Sequence, residues 1–198
     1  MAEIKSTMEM VMERAARMAG SSTDTTYDSE EQRKEGMRLA AAYMRGELDD
    51  PTGRLATLPA ERQPATRQGA VEGLLRNIFL AREEEQLQAA EKAMTALLAI
   101  GRGEGQLPQV FAEMQRILAG YSQHREQLRQ QLEAQFSQQM ELMEQNLARQ
   151  TGMSMKLQPS QHPKFQEEWS RLQAQLDDQY GRALSQLKAM TEELLTGG

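Results

Sequence analysis

The sequence contains no cysteine, which removes disulfides, thiolate nucleophiles and cysteine-ligated zinc from consideration. It has two histidines, His124 and His162. Neither follows a glutamate by three residues, so the Glu-x-x-His element of di-iron bundles is missing, and no metal or cofactor is expected. Aromatic residues make up only 5% of the chain, with Trp169 the single tryptophan, a poor basis for a β-sandwich or barrel. No apolar run approaches the roughly 18 residues that a membrane-spanning helix requires. Glu3 and Lys5 place charge ahead of any apolar stretch, unlike a signal peptide, so the expected compartment is the cytoplasm. A formal charge of −6 runs against nucleic-acid binding, which needs a basic stripe, and against anionic membrane. Neither is expected as a partner.

What is present points to helices. The 198 residues are 39% hydrophobic and the mean hydropathy is −0.69, as in long helices with much surface per unit of core. Methionine occurs 14 times, a flexible residue suited to filling gaps or to forming an adaptable contact surface. In residues 3–19, Ile4, Met8, Val11, Ala15 and Met18 recur at steps of 4, 3, 4 and 3, the stripe of an amphipathic helix. A polar stretch from Ser21 to Thr26 follows. Ser29 and Gln32 form a capping-box pattern, and a second stripe runs through Met37, Ala41, Met44 and Leu48. Asp49, Asp50, Pro51 and Gly53 stop it. The chain from 51 to 64 holds Pro51, Pro59 and Pro64 and reads as a linker. A third helix is expected from about 65 to Ile100, closed by Gly101-Arg-Gly-Glu-Gly105. A fourth opens at Leu107-Pro108, with proline near the first helical position, and runs to Gly152. A fifth runs from near Pro163 to just before Gly197.

The expected fold is therefore all-α. Residues 65–198 would form an elongated antiparallel three-helix bundle of coiled-coil character, preceded by a two-helix segment at 1–50 and the 51–64 linker. Two alignments set the expected register. The fourth stripe reads Phe111, Met114, Leu118, Tyr121, Arg125, Leu128, Leu132, Phe136, Met140, Met143, Leu147. The fifth reads Phe165, Trp169, Leu172, Leu176, Tyr180, Ala183, Leu187, Met190, Leu194. Both contain stutters, which unwind a supercoil locally and should sit at equal height. Folding the chain about residue 157 brings Phe136 opposite about residue 178, beside Tyr180. Folding about residue 104 brings Arg125 opposite Glu83. A polar layer in which Arg125 meets Glu83 or Glu84 is expected, with a role in fixing register.

No constellation for catalysis stands out. Glu83, Glu84 and Glu85 project about 100° apart on a helix and cannot converge on one ion. The glycines at 101, 103 and 105 lack the preceding strand and the Gly-Lys-Ser/Thr ending of a phosphate loop. Two stretches are candidate docking surfaces for a protein partner or a second copy. One is the narrow stripe of Ile4, Met8, Val11 and Met18, too short to be stable alone. The other is the group Met153, Met155 and Leu157 beside Trp169.

The opening Glu3-Ile-Lys-Ser-Thr-Met-Glu-Met-Val-Met-Glu-Arg14, followed by Ser29-Glu-Glu-Gln32, resembles the openings of a group of small uncharacterised helical bacterial proteins. The likeness covers about the first 50 residues and implies a bacterial origin and a helical fold; it transfers no site residue. The functional expectation is a non-enzymatic helical interaction or scaffold protein. The alternatives are a ligand-binding or enzymatic bundle with a Met-lined cavity near Glu83, Arg125 and Tyr121, and a chaperone-like or regulatory accessory protein.

Overall fold

The computed structural model describes residues 28–103, 105–151, 160 and 162–197. The regular elements among them are all helical: α1 (28–45), α2 (Pro51–Ala56), α3 (Gln63–Leu75), α4 (Glu84–Ile100), α5 (Leu107–Thr151) and α6 (Pro163–Thr196). Helix boundaries follow local chemistry. α1 ends at Gly46, whose φ of 78° suits a residue without Cβ. There Gly46 N–H donates to the Tyr43 carbonyl and Glu47 N–H to that of Ala42, the paired bonds of a Schellman cap. The Asp50 carboxylate accepts from the Thr52 and Gly53 amides, with Pro51 in the first turn, so the residues that stop one helix start the next. The expected 51–64 linker thus contains a helix, whose Pro51 and Leu55 are buried.

The expected continuous helix from 65 to Ile100 is broken. α3 ends at Leu75, where the Asn77 side chain donates to the Gly73 carbonyl, and α4 does not begin until Glu84. Glu84 and Glu85 lie in the first turn of α4, where carboxylates complement the positive end of the helix dipole. The acidic run is the start of a helix and not, as its polar pattern suggests, the interior of one.

The described residues fall into two compact units. Among the described residues, one unit comprises 28–77, 92–103 and 192–197, and the other 78–91, 105–151, 160 and 162–191.

In the first unit, α1 and α3 cross backbone to backbone. A Cβ on Gly36 would overlap the Thr66 carbonyl oxygen and lie 2.6 Å from the Ala70 nitrogen. One on Gly69 would overlap the Arg33 carbonyl oxygen and lie 2.7 Å from its carbon, and one on Gly73 would lie 2.7 Å from the Ala40 Cβ. Ala40, Thr66 and Ala70 are buried at this crossing. Charged side chains clasp its rim. Arg33 Nε donates to Glu72 at 2.8 Å, Arg76 donates to the other Glu72 oxygen at 2.7 Å, and Arg62 pairs with Glu35 at 3.2 Å. Lys92 Nζ donates to the Met44 carbonyl at 3.2 Å and lies 5.0 Å from the Tyr43 ring centroid, tying the end of α1 to α4. Arg67 reaches the Ile100 carbonyl at 3.2 Å, satisfying one of the carbonyls that a helix end leaves open.

In the second unit, α5 and α6 run antiparallel. The α5 stripe is buried as its spacing predicts at Phe111, Met114, Leu118, Tyr121, Leu132 and Met140. Complete burial of a side chain such as Leu118 contributes about 1.5–3 kcal/mol. The register differs from expectation. The Phe136 ring lies 5.4 Å from Phe165, edge to face, and 5.8 Å from His162. Tyr180 instead meets Tyr121, at 5.7 Å. Fifteen residues separate Phe165 from Tyr180 on α6, about 22 Å of helix, so Phe136 does not face Tyr180. The slide, from about residue 178 to Phe165, is close to two heptads, which returns much of the stripe to the seam, so periodicity does not distinguish the two registers. The buried row of α6 also shifts by one residue after Tyr180. Within this unit Leu184 and Thr191 are buried, while Met190 is 44% exposed.

Candidate functional site

A polar cluster of the second unit gathers around Tyr121. This residue occupies a stripe position of α5 and is fully buried, so its hydroxyl needs an internal partner. It donates to Asp177 of α6 at 2.7 Å. The other Asp177 oxygen accepts from Arg82 at 3.1 Å. The Gln173 amide, one turn before Asp177 and with its oxygen turned toward the guanidinium, accepts from Arg82 at 2.9 Å. The Tyr180 ring meets that of Tyr121 edge to face, and the Tyr180 hydroxyl is 3.5 Å from His124 Nδ1. Three elements therefore meet: α5 supplies Tyr121 and His124, α6 supplies Gln173, Asp177 and Tyr180, and the segment before α4 supplies Arg82.

Burial pushes the Tyr121 phenol above its ordinary value, and the adjacent Asp177 carboxylate adds to the shift. The phenol is accordingly a neutral donor. Arg82, beside the Tyr121 oxygen and the Asp177 carboxylate, is raised further and stays charged. Each of these groups is directed at another protein group, and the arrangement locks α5, α6 and the Arg82 segment at one height. The nearby pocket is an open depression on α6, lined by Asp177, Asp178, Gly181, Arg182, Ser185 and Gln186.

A polar layer thus exists near the expected height, with other members. Arg125 is not ion-paired with Glu83 or Glu84 among the described residues; its guanidinium lies 5.8 Å from the Trp169 ring centroid, within cation–π reach. Glu83 and Glu84 are exposed at the start of α4. The cation that the layer uses is Arg82, a member of the same polar run. Its partner Asp177 lies outside the expected layer, and the sequence signal for it is a carboxylate between the apolar Leu176 and Tyr180. Trp169 is half-buried. Met153, Met155, Leu157, Ile4, Met8, Val11 and Met18 lie outside the described residues. Among the described residues there is no group of three or more His, Asp or Glu side chains arranged to hold a metal ion, and no helix long and apolar enough to cross a membrane.

The family of unknown function DUF6657 matches residues 52–193 of this sequence. The chain belongs to that family. No curated protein matches the chain, and neither does any solved structure. The DUF6657 span contains every residue of the Tyr121 cluster, from Arg82 to Tyr180. It begins after α1, beyond the opening residues that carried the resemblance to uncharacterised bacterial proteins.

Proposed function

We propose that this DUF6657 protein is a non-enzymatic helical interaction or scaffold protein of the bacterial cytoplasm, working through a protein partner or a second copy. The observation that supports this reading is the placement of apolar side chains outside the core. Phe79, Met190 and Leu194 are each 44% exposed, whereas the side chains of the Tyr121 cluster bond to one another. Contiguous apolar surface marks sites of protein association. The bacterial setting rests on the resemblance of the opening residues.

The test combines size-exclusion chromatography with light scattering and affinity capture from the native host, using the full chain and the variants Phe79→Glu and Met190→Glu. Circular dichroism establishes that each variant folds. The expected result is self-association or a captured partner in the native chain that at least one variant loses. A native chain that stays monomeric and retains only proteins both variants also retain would overturn the reading.

A further inference from the structure

The segment between α3 and α4 is fastened to α6 by a series of side-chain pins. At one end, Lys188 Nζ donates to the Ile78 carbonyl at 2.9 Å. In the middle, the Leu80 side chain lies over Gly181, where an added Cβ would sit 4.0 Å from Leu80 Cδ1. At the other end, Arg82 holds Asp177 and Gln173. Ascending the segment from Ile78 to Arg82 descends α6 from Lys188 to Asp177, so the two run antiparallel. Four extended steps cover about 13 Å, comparable to the roughly 16 Å between those α6 positions. Ile78 and Ala81 are buried, while Phe79 is exposed.

Among the described residues, Ile78, Phe79, Leu80 and Ala81 make no backbone–backbone hydrogen bond. The contacts between this segment and α6 are therefore the side-chain pins. The outermost pin is an ion pair whose side chains are 52% and 34% exposed, a class of contact that contributes about 0–1 kcal/mol and weakens with salt. Segments with few backbone bonds and exposed fastenings open at lower free energy than the core.

We propose that residues 78–83 are a strap that lifts from α6 while the α5–α6 hairpin stays folded, with the Arg82–Asp177 pair as its gate. Lifting uncovers Ile78, Ala81 and the α6 surface around Gly181 and Leu184. The proposal stands whether or not the protein binds a partner.

The cysteine-free chain makes this measurable. A single thiol introduced by Ala81→Cys reacts with a soluble disulfide reagent only when the strap lifts, whereas one introduced by Met114→Cys, in the buried α5 stripe, requires the hairpin to open. The thiol at 81 is expected to react about tenfold faster than the thiol at 114 or more. Adding Arg82→Gln, or raising salt to about 1 M, is expected to accelerate it by about two- to fivefold, the factor that follows from losing up to about 1 kcal/mol, with the rate at 114 unchanged. Equal rates at 81 and 114, or a change that moves both together, would overturn the proposal. Should Arg82→Gln fail to fold, the salt titration of the Ala81→Cys chain decides alone.

Discussion

Replacing Gly69 by alanine tests the closeness of α1 and α3. In a helix interior the exchange ordinarily stabilises, by about 1 kcal/mol, because alanine restricts the unfolded chain and glycine does not. Here the new methyl group would overlap the Arg33 carbonyl oxygen and lie 2.7 Å from its carbon. Both obstacles are backbone, so neither can swing aside as a flexible side chain would. The helices must part by roughly 1 Å, and a gap of that size forfeits up to about half of each dispersion contact along the face. Overpacking of this kind costs about 1–3 kcal/mol, and a backbone obstacle places it at the upper end. Net of the propensity gain, Gly69→Ala is expected to destabilise by about 2 kcal/mol, a fall in Tm of about 4–8 °C for a chain of this size. The control is Gly120→Ala in α5, where the added Cβ would stand 3.5 Å from the Tyr180 ring, an ordinary contact. That variant should gain up to about 1 kcal/mol. Thermal and urea unfolding followed by circular dichroism measure both. If the two substitutions shift stability in the same direction by similar amounts, the account of the crossing is wrong.

Three further outcomes follow from the side-chain networks. Asp177→Ala leaves the fully buried Tyr121 hydroxyl without its acceptor and should cost about 1–3 kcal/mol, while Arg82→Gln, which removes only a half-exposed cation, should cost less than about 1 kcal/mol; urea unfolding that reversed this order would contradict the cluster as described. Glu72 is pushed up by burial, but hydrogen bonds from Arg33 and Arg76 outweigh this and hold it below its ordinary 4.5. Its contribution is therefore fully present above that value and is lost as pH falls through the lower folded value, so the native urea midpoint should drop more steeply in acid than that of Glu72→Gln. Arg102 carries a φ of 55° after α4, a left-handed conformation that costs a side-chain-bearing residue about 1–2 kcal/mol. After allowance for glycine's greater unfolded freedom, Arg102→Gly should raise stability by up to about 1 kcal/mol, readable as a higher Tm.

Much of the secondary structure is legible in the sequence because it depends on neighbours along the chain. The starts of α5 at Leu107-Pro108 and of α6 at Pro163, the glycine turn after Ile100, and the α5 stripe from Phe111 to Tyr121 all follow from proline, glycine and a helical period. What the sequence conceals depends on contacts across it. The break between α3 and α4 contains neither proline nor glycine, and its signals, Asn77 and the acidic first turn at Glu84 and Glu85, also fit a polar layer inside one long helix. The α5–α6 register is hidden because a slide of nearly two heptads keeps much of the apolar stripe in the seam. The Tyr121 cluster was half visible: its height came from the polar run near Arg82, but Asp177 could be assigned only once the register was known. The α1–α3 crossing uses residues with almost no side chain, and hydrophobic patterning is blind to them.

That crossing bears on where the protein can be cut. The family match begins at residue 52, yet the notch formed by Gly69 and Gly73 on α3 is filled by the backbone of α1, which precedes it. A fragment trimmed to the matched span would leave Thr66 and Ala70 facing water across a bare groove the width of one polypeptide backbone. Supplying residues 28–45 as a separate peptide should then restore the missing piece, as a key returns to its lock.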